Sequence, residues 1–267
     1  GIVMDQWKGA DRSVFDVAGV RLGYSDLLGL SALGDLVAPI ATRSYEFATP
    51  GEYATTTYSK TAVALKTLEN MVGSDKFWHA LGVYAQTFAF AHPTRDDFFR
   101  TLRQELGDAL LGDLNWYLDP AFQGVGGTDF RVSSLTSRKI HAERGVFGEG
   151  PNRKVVGKKD APEEDQWFSE ALVVNLGNVP AEADISFGFQ DGSFVHKRWP
   201  GRTRWRRFEF RRDSPLTEVW VDPDRRVPFE THRLDNNQRE DPDGRASLRA
   251  AARLSFWEQT LLQVVGL

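Results

Sequence analysis

The sequence predicts a multi-domain α and β chain, with a helical part over 1–127, an antiparallel β-sandwich over 128–235 and a C-terminal helical tail over 236–267. Three observations carry this. Between Tyr58 and Leu118 the apolar residues recur at steps of three or four, as one face of a helix requires. After Asp119-Pro120 and the Gly124-Val-Gly-Gly127 break the period changes to two, the spacing of a half-buried strand. With 267 residues, 41% of them apolar and 26% charged, the chain is long enough for two domains and a substantial core.

The elements follow in order. Asp11-Arg-Ser13 offers N-caps for a run whose Val14, Val17, Ala18 and Leu22 share a stripe, so a helix is expected there. From Tyr24 to Tyr53 the apolar clusters are broken by Gly29, Gly34, Pro39, Pro50 and Gly51, which favours short turns in a winding linker. Tyr58 then opens a helix that Ala62, Leu65, Leu68 and Val72 continue, until Gly73 stops it. Ser74 is a candidate cap for the next helix, over residues 75–89, with an unbroken stripe from Phe77 to Phe88. Thr94-Arg-Asp-Asp97 has the form of a short-acid capping box ahead of Phe98, Leu102 and Leu106, with Gly107 as the stop. A last helix is expected over Leu110 to Leu118.

Phe130 and Val132 begin the alternating half. Further strands are expected at Glu170–Leu176, Asp184–Phe189, Phe194–Trp199, Trp205–Arg211 and Glu218–Val221, and many short strands with frequent turns suggest a sandwich. Asp191-Gly192 is a tight-hairpin signal of the type I′ kind. The stretch from Gly148 to Gln166 is polar, rich in Pro, Gly and charge, and too long for an ordinary hairpin loop, so it is expected to be mobile.

Composition narrows the function. A net charge of −4 gives no global drive toward nucleic acid or anionic membrane. The absence of Cys excludes disulfides, thiolate metal sites and a thiol nucleophile. The start, Gly-Ile-Val-Met-Asp, carries no signal-peptide pattern and reads as that of a fragment. The end, Trp257 to Leu267, is increasingly apolar but far short of a spanning helix. Two readings of it stand: a chain cut shortly before a membrane segment, or an amphipathic helix closing over the core.

One stretch carries a family resemblance. Tyr58-Ser-Lys-Thr-Ala62, the helical run from Phe77 to Phe88 and His92-Pro-Thr-Arg-Asp-Asp-Phe98 resemble the region downstream of the zinc site in gluzincin aminopeptidases of the alanyl-aminopeptidase and leukotriene-hydrolase group. Members of that group read roughly Tyr-x-Lys-Gly-Ala and then Pro-Thr-x-x-Asp-Phe, and Thr61 stands here where they usually have Gly. The resemblance is strongest over 53–132, weaker to 235 and poor in the first 50 residues. It implies the helical half of a thermolysin-like catalytic domain, zinc in the parent protein, a peptide substrate, and a partner in the upstream half of the same polypeptide. It also gives Tyr58 a catalytic role, as donor of a hydrogen bond to the oxyanion that forms at the scissile carbonyl. A phenol suits that task because it stays protonated near neutral pH and can be aimed at developing charge. The expected setting of Tyr58 is a helix start, with its hydroxyl facing an open concavity.

The metal half of such a site is missing. No H-E-x-x-H occurs, and none of His79, His92, His141, His196 and His232 lies within a helical turn of another, so no zinc is expected in this chain. The basic run Lys197-Arg198, Arg202, Arg204, Arg206-Arg207 and Arg211-Arg212, interleaved with Trp199, Trp205, Phe208 and Phe210, resembles a nucleic-acid surface in isolation. Strand alternation instead favours one solvated face of a hairpin that pairs with the acidic residues 160–165 or a neighbouring domain, so no nucleic-acid partner is expected. Asp222-Pro-Asp224 reads as a turn in preference to a calcium site. Two functions remain: the C-terminal part of a zinc aminopeptidase, inactive alone, or a peptidase-like scaffold that binds peptides or partner proteins without hydrolysis. An adjacent membrane segment outside the chain is a further expectation.

Overall fold

A computed structural model of the chain describes residues 13–17, 20–23, 38–110, 113–140, 145–156, 166–241 and 244–265. They form a mixed α and β molecule whose sheets are all antiparallel. The expected helix at the start is overturned: β1 (Ser13–Val17) and β2 (Val20–Gly23) pair antiparallel, with Phe15 opposite Leu22 and Val17 opposite Val20. Val14, Val17 and Val20 fit a three-residue spacing, but β-branched side chains are stiff in a helix and suit a pleated ladder. Of the expected linker, residues 24–37 lie outside the described part.

The helical region begins at α1 (Pro50–Ala54), where the Thr49 side chain accepts from the Glu52 amide and Pro50 occupies the first turn, which needs no amide donor there. The helix widens into a π-turn (Thr55–Lys60) and continues as α2 (Thr61–Val72), ended by Gly73 at φ 93°. α3 (Ser74–Thr87) follows at once, and Ser74 is its first residue instead of its cap, because the Ser74 hydroxyl donates to Glu69 Oε1 at 2.7 Å. α4 (Arg95–Leu106) has the expected box: Thr94 accepts from the Asp97 amide while Asp97 accepts from the Thr94 amide at 2.8 Å. The last helix is displaced from its expected place, as α5 (Asn115–Gln123) runs through Pro120. Proline there forfeits one backbone bond. That loss is offset by burial of Tyr117, Leu118, Ala121 and Phe122, each large side chain worth about 1.5–3 kcal/mol.

The sheet region comprises β3 (Phe130–Ile140), β4 (Gly145–Phe147), β5 (Lys154–Val156), β6 (Gln166–Asn175), β7 (Ala183–Phe189), β8 (Phe194–Trp199), β9 (Trp205–Arg212), β10 (Leu216–Val221) and β11 (Asn237–Arg239). One sheet has the order β11-β10-β7-β8, a second β3-β6-β9, and β4-β5 is a separate hairpin. Ile185 and Phe187 of β7, Leu216 and Val219 of β10, Ala171 and Val173 of β6, and Phe208 of β9 are buried. The two larger sheets meet through them, with Phe187 at 5.0 Å from Phe208 and 4.8 Å from Phe210, ring to ring.

Three expectations are corrected here. The β7–β8 turn is a three-residue loop in which only Gly192 has positive φ, 83°, so Asp191-Gly192 is no type I′ turn, which needs positive φ at both central residues. Phe189 accepts from the Gly192 amide and donates to the Ser193 carbonyl, as in a type I turn closed by a glycine bulge. Lys154–Val156, inside the stretch expected to be mobile, pairs with Gly145–Phe147, and residues 157–165 lie outside the described part. Finally, β8 and β9 are not a hairpin, since they belong to different sheets. The chain crosses between them at Gly201, φ 68°, where any Cβ would collide with the Ala181 carbonyl.

The regions dock firmly. The Phe229 amide donates to Thr67 Oγ1 at 3.2 Å, Asn70 and Arg226 exchange hydrogen bonds with each other's carbonyls, and Arg202 reaches the Leu110 carbonyl at 2.6 Å while stacking over Trp116. One hydrophobic core runs through both. β11 extends the sheet past residue 235, and the tail helix α6 (Arg245–Val265) begins after it.

Candidate functional site

The centre of interest is the π-turn. Three consecutive threonines, Thr55 to Thr57, crowd the helix just before Tyr58, and β-branched side chains fit poorly at successive helical positions. Wide turns of this kind recur at functional sites. At its end the Thr61 amide bonds the Tyr58 carbonyl, and the Thr61 hydroxyl donates to the Thr56 carbonyl at 3.3 Å. The hydroxyl thus ties the first residue of α2 back to the π-turn. A glycine, usual in the group that the motif resembles, could not do so.

Tyr58 stands on the outer side of this turn, 68% exposed. It is not at a helix start: the helix begins at Pro50, because Pro50 and Gly51, read in the sequence as breaks, form a first turn that Thr49 caps. The ring packs edge-on against Tyr53 at 6.4 Å, and Tyr53 against Phe47 at 5.4 Å. Its hydroxyl has no hydrogen-bond partner among the described residues. A cleft of about 710 Å³ is lined by Ile40, Ala41, Arg43, Thr94, Arg95, Asp96 and Phe122, so Tyr58 is not part of it.

Two residues on, Lys60 points the other way and is wholly buried. Its Nζ donates to the Ala38 carbonyl at 2.9 Å and the Gly124 carbonyl at 2.8 Å, and burial pulls its pKa down to about 8. Lys60 therefore pins the inner side of the turn to two distant loops, which fixes the base on which Tyr58 stands. Sequence reasoning placed Lys60 in the motif but gave it no task. Its partners, 22 and 64 residues away, leave no local signal.

Several of the other candidates have protein partners of their own. His79 is 3.6 Å from Glu105 and His232 is 3.7 Å from Asp129, both histidines largely exposed. Among the described residues, no group of three His, Cys, Asp or Glu side chains could hold a metal ion. The basic run is divided between sheets: Arg198 pairs with Glu182 and Asp184, Arg207 with Glu170, and Arg212 lies over Phe189. The acidic segment expected to face it lies outside the described residues. Asp222, at φ 51°, accepts from the Arg226 and Val227 amides and closes a turn.

No protein-family model and no curated protein matches the chain. Among solved structures it is similar to aminopeptidase A of Legionella pneumophila, crystallised in complex with aspartic acid, at 16% identity and a TM-score of 0.52. The match covers 86% of this chain, which spans 22% of the Legionella chain. At that identity the likeness is one of fold.

Proposed function

We propose that this chain is the C-terminal portion of a zinc-dependent aminopeptidase of the gluzincin type: the helical half of a thermolysin-like catalytic domain, a β-sandwich and a helical tail. The observation that carries the reading is Tyr58, exposed, its hydroxyl without a hydrogen-bond partner among the described residues, mounted on a turn that Lys60 clamps from beneath. Its place in the motif and the likeness of fold to an aminopeptidase support it. Among the described residues no side-chain group fits a zinc site, and the sequence has no H-E-x-x-H, so in this reading the metal ligands and the general base belong to the upstream half of the polypeptide.

In this reading, the Tyr58 hydroxyl donates a hydrogen bond to the oxygen of the scissile carbonyl as negative charge gathers there. A fixed donor serves the transition state better than the ground state, because the bond strengthens as the charge develops. Substrate and the upstream half would cover the exposed ring and exclude water from the bond.

The test is Tyr58→Phe in the intact parent chain, which keeps the ring and removes the donor. We expect kcat to fall by about 10²–10³ with little change in KM, and the unfolding transition to stay in place. Unchanged kcat would remove Tyr58 from the chemistry. A parent that binds peptides but never turns them over would establish the non-catalytic scaffold instead. The 267-residue chain alone, assayed with zinc and an aminoacyl anilide, is expected to show no turnover.

A further inference from the structure

The C-terminal helix carries apolar surface that the peptidase reading does not use. On α6, Leu248 and Leu254 are each 72% exposed, Phe256 62% and Trp257 45%. At about 100° per residue, Leu248 and Phe256 fall on one side of the helix and Leu254 and Trp257 on the other. Leu254 and Trp257, three residues apart, share a stripe, and Arg249 and Arg253, four apart and exposed, form the stripe beside it. Over its length the helix has three arginines, Arg245, Arg249 and Arg253, against the single acid Glu258, in a chain whose net charge is −4. The positive charge is therefore local and set next to the apolar stripe. Trp257 suits the boundary between water and hydrocarbon, where the indole keeps its N–H in the polar layer, while Phe256, edge-on to it at 5.9 Å, lies about 100° round the helix on the far side of the arginines. No described helix is long and apolar enough to cross a membrane.

We propose that α6 binds anionic lipid surfaces, with Arg249 and Arg253 on the headgroups and Leu254 and Trp257 inserted at the headgroup–acyl boundary. The charge pattern selects this occupant over a second copy of the chain. Two copies packed on the same stripe would bring four arginines together at the edge of the seam, whereas anionic headgroups neutralise them.

The full 267-residue chain is tested by flotation with vesicles of phosphatidylcholine, with and without phosphatidylglycerol. Binding is expected on the phosphatidylglycerol vesicles, at least about tenfold tighter than on phosphatidylcholine alone, and weakening as salt is raised. Arg249→Glu with Arg253→Glu is expected to weaken it about tenfold or more, and Leu254→Ser with Trp257→Ser to do the same. Thermal unfolding should be unchanged in both, as these side chains lie outside the core. Binding that ignores headgroup charge, or that survives both double variants, would overturn the proposal. So would failure to float, including the case where ultracentrifugation shows dimers that Leu254→Ser with Trp257→Ser dissolves, since that outcome gives the face to a second copy.

Discussion

Among the described residues, the helical region hides Lys60 and the sheet region hides Glu230 completely from solvent, and the two are set against the backbone in opposite senses. In the helical region Lys60 donates to two carbonyls, those of Ala38 and Gly124. In the sheet region Glu230 accepts from two amides, Phe130 at 2.8 Å and His232 at 2.9 Å. Both sites lie where chain segments meet outside a helix or a sheet ladder, and there the leftover backbone groups must find partners. At the end of α5 they are acceptors, because a helix finishes on carbonyls. At the start of β3 they are donors. The buried group at each junction is the complement of what regular structure leaves over, and burial penalises the charged form of both, drawing the two pKa values from opposite directions to about 8.

The opposition can be read along the pH axis. Glu230 has a folded pKa of about 8 against an ordinary 4.5, so in that interval the folded protein holds a proton that the unfolded chain has released. Stability therefore falls as pH rises from 4.5 to about 8, by about 5 kcal/mol from this group. Glu230→Gln cannot ionise, and urea unfolding followed over that range is expected to lose this slope. A slope equal to that of the wild type would mean that another group causes it.

Lys60 gives the mirror image at about 3 kcal/mol. Its folded pKa of about 8 lies below the ordinary 10.5, so between those values the unfolded chain binds the extra proton, and stability recovers as pH rises. Together the two groups place a stability minimum near pH 8. Lys60→Met should remove the alkaline recovery. It should also lower stability at neutral pH by about 1–3 kcal/mol, as the carbonyls of Ala38 and Gly124 lose a buried donor. A variant as stable as the wild type would show that water replaces the ammonium.

A smaller effect separates the regions without touching either charge. Thr94→Ala deletes one side of the capping box of α4 and is expected to cost about 1 kcal/mol. Hydrogen exchange should quicken in α4 and leave β6 and β7 unaltered. Equal quickening in both would show that the two regions unfold as one unit.

The parts that were legible in the sequence are those with a local, repeated signal. The stripe of α3, the Thr94–Asp97 box and the strands β7 to β10 all stand within a few residues of where the pattern puts them. Failures came where one local signal serves two structures. Val14 and Val17 fit a helix and a strand equally, and Pro120 marks a break in most settings but sits inside α5. The alternation from Phe194 to Arg212 revealed two strands and said nothing of the sheets that they would join. At the site, the motif pointed to Tyr58, yet the π-turn beneath it and the clamp of Lys60 depend on contacts across the chain that no window of sequence contains.

The π-turn also works as a phase shifter. Along an α-helix each residue advances by about 100°, so the direction of every side chain is tied to that of its neighbours. Widening the helix at Thr55–Lys60 breaks that tie once. The α1 end can then aim Tyr53 along the surface while α2 keeps Val63, Ala64 and Leu68 turned to the core, and neither orientation has to be traded for the other. Removal of a single residue from the threonine run would return the helix to even winding and swing α1 around its own axis. The azimuth of the aromatic edge around Tyr58 is thus set by one residue's worth of chain length.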